Sequence, residues 1–268
     1  MSNIKKLILY ILSILLIFGL LLLIYYIVGK INNDNSKNDI EIINELKLNK
    51  LDNYYLAINS NNTTVNIVKD DYLFIESDNR NISIDYDKST YSIVIDEKKL
   101  SRFDYTNSYN MTIHMPSAFF KEVDITTESG NIIIDEMNTN RLNLNVGAGQ
   151  TNIDNLTVYK EANVVSGVGR VFINGSVINN LTLSSGVGES TISTILAGNS
   201  YISSGVGNVY ITILQGSNHY TFNNKKGIGD IRIDNNKVND TVYGSGPSMV
   251  NITSGIGNVN IIFKEENK

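Results

Sequence analysis

The chain has 268 residues, a formal net charge of -5 and a pI near 5.1, with its 22 Lys and Arg scattered. Nucleic-acid binding, which needs a concentrated basic patch, has no support in that balance, and the absence of Cys excludes disulfides and thiolate metal sites. Its 39 Asn and 20 Gly, against 2 Pro and no Trp, favour residues that tolerate left-handed backbone, and so predict many tight corners.

Residues 1–30 read as a transmembrane anchor. From Leu7 to Val28 no residue is charged and Leu and Ile dominate. At ~1.5 Å per residue such a helix spans about 33 Å, enough for a bilayer core of roughly 30 Å. Tyr10, Tyr25 and Tyr26 lie near its ends, where interfacial aromatics sit, and Lys5 and Lys6 before it favour a cytoplasmic N-terminus. A cleaved signal peptide is the alternative. Against it, the apolar run exceeds the usual h-region and no A-x-A-like site follows. Residues 31–45, rich in Asn, Asp and Ser, read as a polar linker.

From residue 46 to 263 the sequence is repetitive. Ser166-Gly167-Val168-Gly169 recurs at Ser185–Gly188, Ser204–Gly207 and Ser254–Gly257, with looser copies at Gly147–Gly149 and Gly227–Gly229 and a half copy at Ser129-Gly130. Four residues past the last Gly of each stands isoleucine: Ile134, Ile153, Ile173, Ile192, Ile211, Ile233 and Ile261, in steps of 19, 20, 19, 19, 22 and 28. Two positions earlier lie Ile132, Thr151, Val171, Ser190, Val209, Ile231 and Val259, with mostly polar residues between. That period of two is a strand with one buried face. A second strand precedes the Gly phrase, with inward pairs such as Leu142/Leu144 and Leu181/Leu183. Each unit reads as strand, Gly corner, strand, turn.

Such a unit cannot bury its apolar face alone, so the expected fold is all-β: a single-stranded, parallel β-helix-like solenoid of ~19-residue coils with Ile stacked on Ile. Seven coils at ~4.8 Å give a rod of roughly 30 Å. Degraded copies extend it towards the N-terminus. Leu56/Ile58 with Ile67 form one, and Leu73/Ile75 with Ile82/Ile84 form another. Between Asp85 and Met115 the register is lost, with strands expected at 91–95 and 110–115 around a longer excursion. Residues 264–268 are a charged tail.

A strand ending in Met115-Pro116, then Val123-Asp124-Ile125-Thr126-Thr127-Glu128-Ser129-Gly130-Asn131-Ile132, then recurrent S-G-x-G-x-V-x-I units, resembles the bacterial putative-adhesin domain family of unknown function. Its members include envelope-stress-associated membrane proteins. The resemblance covers about residues 45–263 and implies an extracytoplasmic β-solenoid behind a single membrane helix, with no catalytic residues to carry over. The chain departs from the family in using Asn where many members have Asp.

No chemical motif competes with this reading. A phosphate-binding G-x-G must open a helix, and here a strand follows every copy. Calcium-roll repeats need a nine-residue period, which is absent. Asp135, Asp154 and Asp234 share one outward position but are interrupted by Asn174, Ser193 and Thr212, so a solvated polar face is expected. His114 and His219 share no unit. Catalytic, cofactor and metal residues are therefore all read as none. Outward Phe172 and Tyr210, two coils apart at one position, are the candidate contact residues for a glycan or protein.

The sequence thus predicts a non-enzymatic, single-pass protein of the cell membrane, its C-terminal domain extracytoplasmic. The membrane is one partner; a cell-wall polymer or another envelope protein is the other. A self-assembling β-helix, stacking through open coil ends, is the alternative. An envelope glycan-active enzyme is a third reading.

Overall fold

The computed structural model describes residues 41–46, 51–98, 108–239 and 242–264. The anchor predicted at 1–30, and most of the linker and charged tail, lie outside them. Among the described residues no helix is long and apolar enough to cross a membrane. The described chain lies in one compact unit, Ile40–Lys268.

The described residues of that unit are all-β apart from one short 3-10 turn, Ser217–His219. Its strands are β1 (Glu41–Leu46), β2 (Tyr55–Ser60), β3 (Thr63–Lys69), β4 (Leu73–Ser77), β5 (Ile82–Asp87), β6 (Ser92–Glu97), β7 (Tyr109–Met115), β8 (Phe119–Ser129), β9 (Ile132–Ile134), β10 (Met137–Asn179), β11 (Leu181–Ala197), β12 (Asn199–Val206), β13 (Val209–Ile213), β14 (Tyr220–Ile228), β15 (Ile231–Ile233), β16 (Asn236–Val238), β17 (Val242–Gly244), β18 (Ser248–Ile256) and β19 (Val259–Phe263). Between coils the pairing is parallel and in register, as a solenoid requires. Leu183 pairs with Val164 and Ile202, and Ile192 with Ile173 and Ile211.

The seven repeat isoleucines form one column, each at most 1 % exposed. Ile67 and Ile113 extend it past Ile134. A second inward column runs Ile95, Ile58, Ile125, Leu144, Val164, Leu183, Ile202 and Ile252. The segment read from sequence as a turn is itself a third side. Leu156, Val158, Ile178 and Leu196 are buried there, closing the interior.

The coil order departs from the sequence order at both ends. β12 and β13 pair not with β14 and β15 but with β18 and β19, which pair with β14 and β15 on their other side. The last coil of the chain is therefore intercalated, and the column runs Ile211, Ile261, Ile233. The lengthened steps of 22 and 28 in the isoleucine spacing mark this detour. At the other end β2 and β3 lie between β6/β7 and β8/β9. Within the stretch 85–115, read from sequence as having lost the register, β6 and β7 thus supply the strands of an outer coil.

The unit predicted at Leu73–Ile84 is not a coil. β4 runs antiparallel to β7 and β5 antiparallel to β6, so both strands cap the outer coil. β1, at the end of the predicted linker, adds antiparallel to β4. At the opposite end β17 caps β14 and β16 caps β15, again antiparallel. Short antiparallel caps of this kind blunt edges that would otherwise template further pairing.

The Gly corners follow from stacking. At Gly188 φ is +143°, and a Cβ would lie 1.6 Å from the Gly169 carbonyl oxygen of the coil beneath. The first glycine of the phrase needs only close approach, since a Cβ on Gly186 would sit 2.4 Å from the Gly167 oxygen. The serine that opens the phrase points inward and is buried at 166, 185, 204 and 254.

The Asn excess has a second cause besides turns. Asn155 and Asn180 adopt left-handed backbone at φ 50° and 51°, which Asn tolerates. Their amides also donate across coils, to the Asp135 carbonyl at 3.1 Å and the Lys160 carbonyl at 2.7 Å. Past the corner, Asn131, Asn208 and Asn258 each accept from a backbone N–H of the next coil at 2.9–3.0 Å. Side-chain amides thus tie coil to coil outside the strand ladders.

Candidate binding face

Parallel stacking turns each outward position into a straight row. The row past the corner runs Ile133, Asn152, Phe172, Thr191, Tyr210, Asn260 and Arg232, in stack order. Phe172 and Tyr210 therefore stand two rungs apart, about 10 Å at ~4.8 Å per rung, 41 % and 37 % exposed. Thr191, a small side chain, leaves a notch between them.

Phe172 borders a shallow groove of about 330 Å³ whose other walls include Ile133, Gln150, Asn152, Arg170, Glu189 and Thr191. The groove offers an aromatic face beside amide, guanidinium and carboxylate groups. Such a mixture suits a ligand with apolar faces and hydroxyl or amide edges. Tyr210 lies beyond the groove's lining.

The predicted acidic positions do not converge. Asp154 accepts from the Asn174 amide at 3.4 Å. Asp234 sits at a left-handed turn in the outermost coil, where it accepts from the Phe263 N–H at 3.2 Å. The two histidines are likewise apart. His114 stacks on Phe74 at 4.0 Å with its Nδ1 3.0 Å from Asp70, whereas His219 ends the 3-10 turn before β14. Among the described residues no group of three or more His, Cys, Asp or Glu could hold a metal ion.

A second trough, about 370 Å³, was not anticipated from sequence. Tyr55, Asn59, Asp124, Thr126, Asn143, Asn145 and Asn163 line it. The Tyr55 hydroxyl donates to Asp124 at 2.7 Å, and Asn143 donates to the same carboxylate at 2.7 Å. The Asp124 hydrogen bond, with burial, pushes the Tyr55 phenol up to about 12. The outward residues of β2, β8 and β10 were readable as exposed, but only the pairing of β2 with β8 brings Tyr55 onto Asp124.

No curated protein matches the chain in sequence. Two crystal structures are similar to it. One is a putative cell adhesion protein from Clostridium sporogenes, 15% identical, with 84% of this chain and 98% of that one covered and a TM-score of 0.37. The other is a putative adhesin from Bacteroides fragilis, 13% identical, with 81% and 96% covered and a TM-score of 0.43. Residues 28–268 match the Toastrack DUF4097 family, which takes in the whole coiled unit, the capping strands and the Gly corners, and the chain belongs to that family.

Proposed function

We propose that this protein is a non-enzymatic binding module of the bacterial cell surface. Residues 1–30 hold it in the membrane as a single pass, and the coiled unit stands outside. Its partner is a cell-wall polymer or another envelope protein, met through the row that carries Phe172 and Tyr210. The observation that supports this most is the presentation of those two rings. Both are fixed, two rungs apart, on a sheet that is hydrogen-bonded on either side, so little ordering entropy opposes binding. The groove beside Phe172 adds directional polar groups.

Self-assembly through open coil ends has less support, because both ends carry antiparallel capping strands. The reading is tested by immobilising the Ile40–Lys268 unit and passing over it wall material and solubilised membrane proteins. Retention that falls about tenfold or more in the Phe172→Ala/Tyr210→Ala double variant supports the assignment, since a stacked aromatic contributes on the order of 1–2 kcal/mol. Equal retention by the parent and the double variant moves the contact face elsewhere. No retention of any component by the parent sinks the binding-module reading.

A further inference from the structure

The residue between the two glycines of each corner forms a row of its own. Val168 pairs with Val187, Val187 with Val206, Val206 with Ile256 and Ile256 with Ile228. Five successive rungs thus carry β-branched apolar side chains, 46–73 % exposed. Glycine rows flank them on both sides, so no neighbouring side chain shields the strip. Strand propensity alone would be met equally by Thr, which is β-branched and tolerates water. A contiguous apolar strip about 20 Å long is instead the mark of an interaction surface.

We infer that this strip is a self-association interface in which two copies of the chain pack corner to corner, antiparallel, about a two-fold axis through Val206. An isologous contact needs a surface complementary to itself, and the stack order supplies one. With the axis at Val206, Val187 faces Ile256 of the second copy and Val168 faces Ile228, so all five apolar rungs are matched. The row just past the second glycine holds Arg170, Glu189, Asn208, Asn258 and Asp230 in the same order. The same operation sets Arg170 against Asp230 twice, Glu189 against Asn258, and Asn208 against itself. No like charges meet.

Arg170 makes no ion pair among the described residues, and the pairing gives it a partner. Asp230 already meets Lys237 at 2.6 Å and Arg232 at 3.7 Å, but a carboxylate has acceptor sites for a further donor. A parallel pair would leave Arg170 opposite the Ser166 position, without a counter-charge. A stable interface buries about 800 Å² per partner, so the strip is its apolar centre and the flanking polar rows are its rim.

The native chain has no Cys, which makes positional cross-linking clean. Full-length chain in detergent, with a single cysteine introduced, is treated with a short thiol-to-thiol cross-linker. Val206→Cys should link to itself, Val168→Cys should not, and a mixture of Val168→Cys with Ile228→Cys should give the mixed dimer. Val187→Asp should weaken the pair about tenfold or more by setting a carboxylate in the apolar centre, with the β-sheet circular dichroism unchanged because the site is exposed. Self-linking at Val168 as fast as at Val206 would overturn the antiparallel pair. Sedimentation as a monomer at every concentration reached would overturn the interface. Either result leaves the Phe172–Tyr210 reading standing, since that row lies outside the strip.

Discussion

Replacing Gly188 with Ala should be among the most damaging single-methyl changes in this protein. Two costs add. Gly188 has φ +143°, a region open essentially to glycine alone, where another residue costs about 1–3 kcal/mol. The new Cβ would also lie 1.6 Å from the Gly169 carbonyl oxygen and 2.7 Å from its carbon. Ordinary contact begins at 3.4 Å, so the two coils must part by well over 1 Å at the corner. Coil 162–174 is held to coil 181–193 there by rung hydrogen bonds worth about 1 kcal/mol each, and two or three of them would be lost. The sum is about 3–6 kcal/mol.

Two neighbours act as controls. Gly186→Ala has the backbone clash, at 2.4 Å, without the positive φ, and should cost less. Gly198→Ala has φ +72° but meets only the side chain of Asn180, which can turn aside, so about 1–2 kcal/mol is expected. Urea unfolding of the Ile40–Lys268 unit, followed by circular dichroism, gives the three midpoints. The expected order of loss is Gly188→Ala, then Gly186→Ala, then Gly198→Ala. Gly188→Ala unfolding together with Gly198→Ala would show that the corners do not stack as described.

Three further outcomes are expected. Ile192→Ala, at a fully buried point of the isoleucine column, should cost about 2–5 kcal/mol, whereas Thr191→Ala on the outward row should stay within about 0.5 kcal/mol by the same urea assay. Ending the chain at Pro247 removes β18 and β19; hydrogen exchange should then show the amides of Arg232 and Asp234 unprotected, because these face β19, and Asp234 loses its 2.9 Å bond to the Ile261 carbonyl. A sequential stack would keep those amides protected. Burial raises the Tyr220 phenol from 10.0 to about 12, which favours the neutral form in the folded state. Its contribution is complete below pH 10 and lost as pH rises from about 10 to 12, so urea midpoints should fall over that window, less steeply in Tyr220→Phe.

The unit of this fold was legible in the sequence because it is local. The Ser-Gly-x-Gly phrase, the isoleucine four residues on and the alternation around it fix a corner between two half-buried strands within about 19 residues. The shared outward position of Phe172 and Tyr210 followed from the same register. What escaped was whatever depends on the neighbour. Tyr55 meets Asp124 across 69 positions, and nothing near either residue signals it. Leu156 and Val158, which fall in the part of the repeat read as a turn, continue the interior past the left-handed Asn155.

By itself, then, the sequence determined a stack of like coils, their inward columns and the need for glycine at each corner. Only the tertiary structure decided the order of those coils. Every coil presents nearly the same inward Ile and Val and the same edge of backbone donors and acceptors, so pairing energy scarcely distinguishes one neighbour from another. Connection lengths, and the antiparallel strands that close each end, break that degeneracy. They place the last coil inside the stack and the first one beneath an outer turn.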